Sequence, residues 1–545
     1  MKLQDRYTFE KDTQTSSVSL YDNEYKIKAI TFERTPNEAV LAYIAARYSR
    51  SSASIVDTYK TLLEDDKNLT KTPEEKLATI FHGYGHKSVA DGCGLFIALE
   101  NIPLYQIEVL MNLIPVISGQ ARSTRYQNFV VENLNNLVVN IPDDLNIHPE
   151  WISLYADVLT NQIEEFNTLY RETEEQQGTA FNIDLTVKKN IESNRVRSLD
   201  TARYLLPLGL RSSVALFINA TNLAEIISQL LASSNCYNVA TGNLLLQLMT
   251  NKEYDYNRQA ESLIRHTEPK YKHIKIDQAL KNLVLAEGFI SIQDNCKSIL
   301  ESIIVETNSS IYNVLTHAIQ LAHPRILDLN IQSDLDVEQA KRLLTDIAEI
   351  IFSNTTDKDL PGPIVQTSAL GFHGLIDIGS ARDLNRHRST ERFFPYLSDA
   401  YPTYVDIINS NVSSKFVVCP YLSSRPELKL LEIEYERVLA EYYYSIQSLL
   451  VEGREIYNVP EDILNEFAKY LLPMAHLVNY NIYADLKDIT YIAHLRTRPG
   501  GHIAYRMIVE EWINQLAQES DFFSALMQNL PSVDPYSEEQ YLDRR

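Results

Sequence analysis

Apolar residues recur through much of the chain at steps of three and four, which is the spacing of one helix face. The longest such run contains Leu428, Leu431, Tyr435, Val438, Leu439, Tyr442, Ile446 and Leu449. Pro426 lies where a first helical turn accepts proline, and Gly453 follows the run as a stop signal. Similar spacing runs from Trp151 to Tyr170 and from Met507 to Leu516. The pattern therefore predicts several long helices.

Strand signals are shorter than the helical ones. The apolar runs Gly94–Leu99 and Lys415–Cys419 each have the length and composition of a strand. Glycine accounts for only 16 of the 545 residues, so breakers seldom interrupt the elements. The sequence thus predicts a helix-rich protein with a few short strands.

Composition narrows the classes of function. Hydrophobic residues make up 45% and charged residues 22% of the chain, so a largely disordered protein is excluded. The net charge of −22 disfavours binding of a nucleic-acid polymer or an anionic membrane, but allows a small anion held by a few arginines. The four cysteines are too scattered for a disulfide framework. With no signal core and no long apolar window, we expect a cytoplasmic protein.

One short segment occurs twice. Residues 202–207 read Ala-Arg-Tyr-Leu-Leu-Pro, and residues 468–473 read Ala-Lys-Tyr-Leu-Leu-Pro, so the second copy lies at a fixed offset from the first. We therefore predict a tandem duplication, with repeats at residues 24–257 and 275–531 and a polar linker between them. The charged tail, residues 532–545, is expected to be frayed or dependent on a partner.

The first block that could carry chemistry is Gly119–Asn128. It places Arg122 and Arg125 around the hydroxyls of Ser123 and Thr124. Guanidinium and hydroxyl groups together suit a phosphate, although a solvated polar turn has the same appearance. Upstream, His82 and His86 have the spacing of zinc ligands on a helix, but the glycines between them weaken that hypothesis.

A second block, Arg382–Arg388, ends in the consecutive residues Arg386, His387 and Arg388. Such a cluster repels itself unless water or an anion screens it, so it is either an anion site or a solvated basic patch. The third block, Leu495–His502, adds Arg496 and Arg498 at a predicted helix end, where basic residues also compensate the helix dipole. No nucleophile elbow or P-loop occurs, and Cys419 is expected to pack rather than react.

Together these blocks resemble the flavin-dependent thymidylate synthases. The signature of that family reads Arg-His-Arg, seven residues, then Ser-x-Arg, usually followed by Tyr. Here it is split, because Ser123–Tyr126 supplies the second half in the first repeat and Arg386–Arg388 the first half in the second repeat. Gly85–Ser88, followed by Asp91, is similar to a Gly-His-x-Ser/Thr segment of the family, which implies flavin contacts for His86 and Ser88.

The repeated hexapeptide resembles a family motif whose basic residue contacts the nucleotide. In the family, a flavin-site Asn follows that residue by 16 positions, and the Arg that polarises the uracil follows it by 27. From Arg203 these steps reach Asn219 and Leu230, whereas from Lys469 they reach Asp485 and Arg496. Each repeat therefore retains a different half of the pattern.

The resemblance implies an α+β fold: a helix-rich tandem of two such domains, each with a small, mostly antiparallel sheet packed by long helices. It also implies one composite site per chain. The substrate-binding residues would be Ser123, Thr124, Arg125, Arg203 and Arg386, the catalytic residue Arg496, and the cofactor-binding residues His86, Ser88, Asn219, Arg386, His387 and Arg388. Cationic Arg386, His387 and Arg388 would hold the phosphates of flavin and nucleotide.

The reaction implied is methylation of dUMP to dTMP with FAD as cofactor and methylenetetrahydrofolate and NADPH as co-substrates. No metal is implied, and a homodimer would reproduce the family's tetramer of domains. Two alternatives remain open. Asp485 in place of Asn, and Gln120-Ala121 in place of the family's Asn-Glu, fit a degenerate homologue that binds flavin or nucleotide without turnover. A helical scaffold without any ligand would leave the spacing to Arg496 as coincidence.

Overall fold

The chain is known from a computed structural model. It describes residues 7–22, 28–32, 40, 44, 53–65, 94–113, 118–122, 124, 129, 134, 137–250, 267–269, 271, 298–307, 342, 346, 370–387, 390–393, 403–409, 415–519, 523–524 and 530–543. All statements on structure refer to these residues.

The described helices are numbered in chain order. They are α1 (Ile55–Asp65), α2 (Leu104–Leu113), α3 (Pro149–Ala180), α4 (Lys188–Ala202), α5 (Ala220–Ala232), α6 (Cys236–Thr250), α7 (Ile378–Leu384), α8 (Tyr404–Ile408), α9 (Pro420–Ser423), α10 (Lys429–Glu455), α11 (Glu461–Leu471), α12 (Leu486–Arg496), α13 (Ile503–Glu519) and α14 (Glu538–Leu542). The long helices expected from the apolar periodicity are thereby confirmed.

The described strands form three small sheets. The strands are β1 (Tyr7–Asp12), β2 (Ser17–Asp22), β3 (Lys28–Phe32), β4 (Gly94–Pro103), β5 (Ser118–Ala121), β6 (Arg211–Asn219), β7 (Ile304–Glu306), β8 (Leu370–Asp377), β9 (Glu391–Phe393) and β10 (Leu477–Ala484). The sheet orders are β1-β2-β3, β4-β6-β5 and β7-β8-β10-β9. All pairings in the first and third sheets are antiparallel, and the fold class is α+β as expected.

The chain divides into two compact units. The first comprises residues 1–99, 117–120 and 214–288, and the second comprises residues 100–116, 121–213 and 289–545. The first unit contains α5 and α6, whose apolar residues pack against each other. The second contains the long helices α3 and α10 and the sheet of β7 to β10. The segments that carry most of the described basic blocks lie in this second unit.

The long helices α3 and α10 pack antiparallel in the core of the second unit. The indole of Trp151 donates to the carbonyl oxygen of Leu449 at 3.0 Å, and Tyr442 donates to the carbonyl oxygen of Gln162 at 3.1 Å. Gly453 lies inside α10 rather than after it, so its prediction as a stop signal is wrong. A Cβ at Gly453 would lie 2.7 Å from the Trp151 indole nitrogen, so glycine is required here for close helix approach.

The two copies of the repeated hexapeptide lie side by side and exchange backbone hydrogen bonds. The amide of Leu208 donates to the carbonyl of Leu472 at 3.0 Å, and the amide of Met474 donates to the carbonyl of Leu206 at 2.9 Å. The offset that relates the two hexapeptides also relates Leu208 to Met474 and Leu206 to Leu472, so the two bonds are equivalent. A second pair, Gly209 to Tyr470 at 2.7 Å and Ala475 to Tyr204 at 3.0 Å, has the same relation. The segments therefore pair with local twofold character.

The elements that follow each hexapeptide correspond as well. Strand β6 and helix α5 begin at Arg211 and Ala220, and strand β10 and helix α12 begin at the equivalent positions of the second copy, Leu477 and Leu486. A long helix precedes each copy, α3 in one case and α10 in the other, and a shorter helix, α4 or α11, runs into its start. The order of elements around the two copies is therefore the same.

Two sequence predictions fail in the second unit. The run Lys415–Cys419 is not a strand, since it makes only an isolated bridge between Phe416 and His476 before α9 begins at Pro420. The tail is not frayed over its described part, residues 532–543. Tyr541 is fully buried and stacks on Phe181 with ring centroids 4.1 Å apart. Burial of this aromatic ring holds the tail in place although most residues around it are charged.

Candidate functional site

The predicted site residues fall into two groups. His86, Ser88, Ser123, Arg125 and Arg388 lie outside the described residues. Those that the structure describes are Thr124, Arg203, Asn219, Arg386, His387 and Arg496. Thr124 is buried, with 5% of its surface exposed. Nearby, the amide of Arg122 donates to the carbonyl of Ser213 on β6 at 2.8 Å.

Arg203 is a buried cation with an incomplete set of partners. It follows α4 in a short 3-10 turn, and only 4% of its surface is exposed. Its Nη2 donates to Oδ2 of Asp383 at 2.9 Å, whereas its Nε has no hydrogen-bond partner among the described residues. Burial would lower the pKa of Arg203, but the charges of Asp383 and Asp200 outweigh burial and raise it. Arg203 is therefore charged, and its Nε–H is available to donate to a ligand.

Asp383 connects Arg203 to the Arg-His-Arg segment. Helix α7, which ends one residue after Asp383, begins at a buried N-cap, Asp377, whose carboxylate accepts from the amide of Ser380 at 2.7 Å. Arg386 follows this helix, and its Nη2 lies 3.4 Å from Oδ1 of Asp383. The side chain of Arg386 is 52% exposed. One carboxylate thus faces two predicted site arginines, one from each half of the chain.

His387 and Arg496 form a direct contact. The Nε of Arg496 donates to Nε2 of His387 at 2.7 Å. Nε2 of His387 is the acceptor of this bond, so this nitrogen carries no proton in this arrangement. The guanidinium of Arg496 lies 5.2 Å from the ring centroid of Tyr505. Arg496, the last residue of α12, is therefore fixed from two sides.

Asn219 has a local structural role that its equivalent shares. It is the N-cap of α5, and its side chain accepts from the amide of Asn222 at 2.8 Å. Asp485, at the equivalent position after the second hexapeptide, caps α12 in the same way and accepts from the amide of Asp488 at 2.7 Å. Both residue types are good N-caps, which accounts for the Asn-to-Asp exchange without a ligand. Asn219 belongs to the first unit, unlike the arginines described above.

Arg382, in the same basic block, binds a carboxylate from another helix. Its Nε donates to Oε1 of Glu108 on α2 at 2.5 Å, and the side-chain Nδ2 of Asn385 donates to Oε2 of Glu108 at 3.3 Å. Glu108 is only 4% exposed. This buried ion pair fixes the helix that precedes the Arg-His-Arg segment, so the segment has a rigid base.

The loop after Arg496 is held by a buried arginine and by the C-terminal segment. Arg197 donates to the backbone carbonyl oxygens of Pro499, Gly501, Tyr541 and Asp543 at 2.5, 2.7, 3.0 and 2.7 Å. The hydroxyl of Tyr541 donates to the side-chain oxygen of Asn194 at 2.8 Å. Arg197 therefore joins the loop that follows Arg496 to the end of the chain.

Two other groups with catalytic potential are buried and inert. Burial raises the pKa of the Cys419 thiol to about 12, and its sulfur accepts from the Thr201 hydroxyl at 3.6 Å, so it packs as expected. Burial and the nearby Arg203 lower the pKa of His502 to about 3. Its Nδ1 accepts from the amide of Ala504 at 3.2 Å, so Nε2 carries the proton and donates to the carbonyl of Asp200 at 3.0 Å.

Sequence reasoning missed the carboxylates of this site. Asp383 lies within the block Arg382–Arg388, whose cations alone indicate an anion site. Its signal is its position three residues before Arg386, which places both side chains on one side of a helical turn. Glu108 gives no such signal, since it is the single charged residue of its helix. Nothing in the sequence indicates that Arg197 binds two distant segments, because its partners are backbone carbonyls.

Comparisons with known proteins agree with the family resemblance. Residues 32–240 match the family model described as "Thymidylate synthase complementing protein". A UPF0159 protein of Chlamydia pneumoniae is 26% identical over 151 residues, which are 27% of this chain and 23% of that protein. The resemblance to the thymidylate synthases of this family is thereby confirmed, and the match covers much of the first half of the chain.

A solved structure is also similar. It is the crystal structure of the flavin-dependent thymidylate synthase ThyX from Helicobacter pylori complexed with FAD and dUMP. The two proteins are 15% identical, and the similarity covers 42% of this chain and 96% of that one at a TM-score of 0.27. A TM-score this low supports neither a fold nor a ligand for this chain. No helix within the described residues is long and apolar enough to cross a membrane.

Proposed function

We propose that this protein methylates dUMP to dTMP, with FAD as cofactor and methylenetetrahydrofolate and NADPH as co-substrates. The site is composite and lies within one chain. The proposal depends on one observation: site residues predicted from the first repeat lie next to site residues predicted from the second. Arg203 and Arg386 share Asp383, with distances of 2.9 and 3.4 Å, and Arg496 donates to His387 at 2.7 Å.

The duplication is part of the proposal. The repeats are residues 24–257 and 275–531, and their support is the set of hydrogen bonds around Pro207 and Pro473 that the hexapeptide offset relates to one another. In a duplicated chain, each composite site needs only one copy of each half-motif. The other copies are then free to change, which accounts for the split signature. A homodimer of this chain would contain four such domains.

The described donors fit a phosphate group. Arg203 is buried, charged and has an unpaired Nε, and such charge-assisted donors contribute roughly 1.5–3 kcal/mol each. Arg386 is half exposed and can turn toward a ligand. We assign the nucleotide phosphate to Arg203, Arg386 and the Ser123–Arg125 segment. The flavin phosphates are assigned to Arg388 and Arg386, with further flavin contacts from His86, Ser88, His387 and Asn219.

Arg496 is assigned the chemical role. When bound, reduced flavin supplies the hydride and methylenetetrahydrofolate supplies the one-carbon unit. Charge develops on the polar edge of the uracil ring as its C5 becomes nucleophilic, and a preorganised guanidinium stabilises that charge. His387 accepts from the Nε of Arg496, which leaves the terminal nitrogens of Arg496 for the substrate. Because no protein nucleophile is required, the inert state of Cys419 is compatible with this reaction.

A second candidate is a homologue that binds flavin or nucleotide without turnover. The observation in its favour is the carboxylate of Asp383 on the nucleotide arginine, together with Asp485 where the family has Asn. The visible spectrum and turnover of the purified full-length chain separate the two. A yellow protein with about one FAD per chain that forms dTMP supports the synthase. A yellow protein without turnover supports the second candidate, and two equivalent flavins per chain contradict a single composite site.

A mixing experiment tests whether the halves meet within one chain. Arg203→Ala and Arg496→Ala should each abolish turnover, and mixing the two variants should restore none of it, since every chain then lacks one half of its own site. Arg437→Ala, on the exposed face of α10, serves as the control and should retain activity. Recovery of a quarter or more of the activity after subunit exchange would mean that the halves come from different chains.

A further inference from the structure

Asp383 is unusual for a site that is to bind a phosphate. Its side chain is 9% exposed, and its two oxygens face different arginines, Oδ2 toward Arg203 at 2.9 Å and Oδ1 toward Arg386 at 3.4 Å. A phosphate that reaches these arginines therefore meets a carboxylate already bound to them. Two negative groups in one buried site repel each other strongly, because the low local dielectric screens them little.

Among the described residues, the buried charges next to this site are paired with one another. Arg197 lies 3.6 Å from Asp200, and Asp200 also contributes its charge to Arg203. Arg203 in turn binds Asp383. Positive and negative side chains thus alternate from Arg197 to Arg386, and Arg386 is the half-exposed end of this row. The nearby His502 is neutral at physiological pH, since its pKa is lowered to about 3 by burial and by Arg203.

We propose that Asp383 is a built-in counter-ion that competes with the phosphate of the nucleotide and so weakens the binding of doubly charged phosphate monoesters. The inference rests on the proposed function, because it assigns the phosphate to Arg203 and Arg386. Asp383 keeps the buried Arg203 compensated before the nucleotide binds. The nucleotide must displace this contact, so the base and sugar supply most of the affinity.

The direct test removes the charge of Asp383 and keeps its shape. Asp383→Asn retains a hydrogen-bond acceptor for Arg203 but leaves one more positive charge in the site. Calorimetric titration of the full-length protein should then give at least tenfold tighter binding of dUMP. Binding of deoxyuridine, which has no phosphate, should change by less than threefold. Glu441→Gln makes the same change in net charge at an exposed ion pair and should leave both affinities unchanged.

A measurement on the wild-type protein covers the case in which the variant does not fold. Comparing dUMP with deoxyuridine gives the contribution of the phosphate directly. The proposal expects the phosphate to improve wild-type affinity by less than tenfold. An improvement of tenfold or more would overturn it, as would equal or weaker dUMP binding by a folded Asp383→Asn protein.

The outcomes also separate this proposal from the proposed function. If Asp383→Asn binds dUMP more tightly but the flavin-loaded wild type forms no dTMP, the synthase function fails and the counter-ion stands. If the wild type turns over and Asp383→Asn does not gain affinity, the counter-ion fails alone. If neither protein binds dUMP or deoxyuridine, both proposals fail, since removing the carboxylate would then have opened no anion site.

Discussion

Two buried arginines six residues apart serve different purposes in this molecule. Arg197 is 1% exposed and directs its donors to backbone carbonyl oxygens of two segments, the loop after Arg496 and the C-terminal segment. Arg203 is 4% exposed, yet it has one carboxylate partner and a buried Nε without a partner. A fully bonded guanidinium has no capacity left for a ligand. An incompletely bonded one is costly to bury unless something else uses it.

The difference shows how a buried arginine with a structural role can be told from one that binds a ligand in this fold. Arg197 lies within α4 and Arg203 directly follows it, and both are buried, so burial does not distinguish them. What distinguishes them is the set of partners, backbone carbonyls for Arg197 and a side-chain carboxylate for Arg203. We therefore expect substitutions at Arg197 to affect mainly stability and substitutions at Arg203 to affect mainly binding.

The largest expected effect is that of Arg197→Ala on stability. The substitution leaves four carbonyl oxygens without their donor and removes a cation that lies 3.6 Å from the buried Asp200. Removal of one partner from a buried ion pair costs about 3–5 kcal/mol. The free energy of unfolding, measured by urea denaturation, should fall by about that amount, whereas Arg437→Ala on the surface should change it little. Equal losses for the two variants would remove the structural role of Arg197.

A smaller effect is expected from Tyr541→Phe at the C-terminal segment. The ring and its stacking on Phe181 remain, but Asn194 loses the hydroxyl that donates to its side-chain oxygen at 2.8 Å. An unsatisfied buried polar group costs about 1–3 kcal/mol. Urea denaturation should show a loss in this range. A tail that is loosely attached would instead give no change, and limited proteolysis would remove it from the wild-type protein.

The pH dependence of stability should reveal the buried His502 next to Arg203. Its pKa is lowered from 6.5 to about 3, so the unfolded chain binds a proton that the folded chain does not. Stability is therefore complete above pH 6.5 and falls as the pH decreases toward 3, by about 1.4 kcal/mol per pH unit. His502→Gln should reduce the slope between pH 6 and pH 4 by that amount. An unchanged slope would contradict the buried neutral state of His502.

The fold was more predictable than the site, for physical reasons. The apolar periodicity of Leu428 to Leu449 reflects local helix geometry, so it correctly indicated α10. The role of Gly453 depends on Trp151, which lies far earlier in the chain, and was therefore misjudged as a stop. The tail failed for the same reason, since Tyr541 is held by residues from α3 and α4. Long-range partners of this kind leave no trace in local sequence pattern.

The site divides in a similar way. The family spacing from Lys469 predicts Arg496 as a site residue, and the family signature predicts His387. The structure shows that Arg496 donates to His387. Asp383 lies within the block Arg382–Arg388, but a carboxylate among cations resembles ordinary charge balance. Its contact with Arg203, 180 residues away, is visible only in the fold. The motifs therefore predict the arginines of the site, whereas only the tertiary structure shows that Asp383 is bound to them.

The most direct test of the central claim is the affinity of Arg203→Ala for dUMP, measured by calorimetry on the full-length protein. The account predicts that dUMP binding weakens by up to tenfold, about 1.4 kcal/mol, until dUMP binds no more tightly than deoxyuridine, whose affinity is unchanged. The loss of stability should be smaller than in Arg197→Ala. Arg437→Ala provides the control. An affinity for dUMP equal to that of the wild type would contradict the account, because the unpaired donor of Arg203 would then have no ligand.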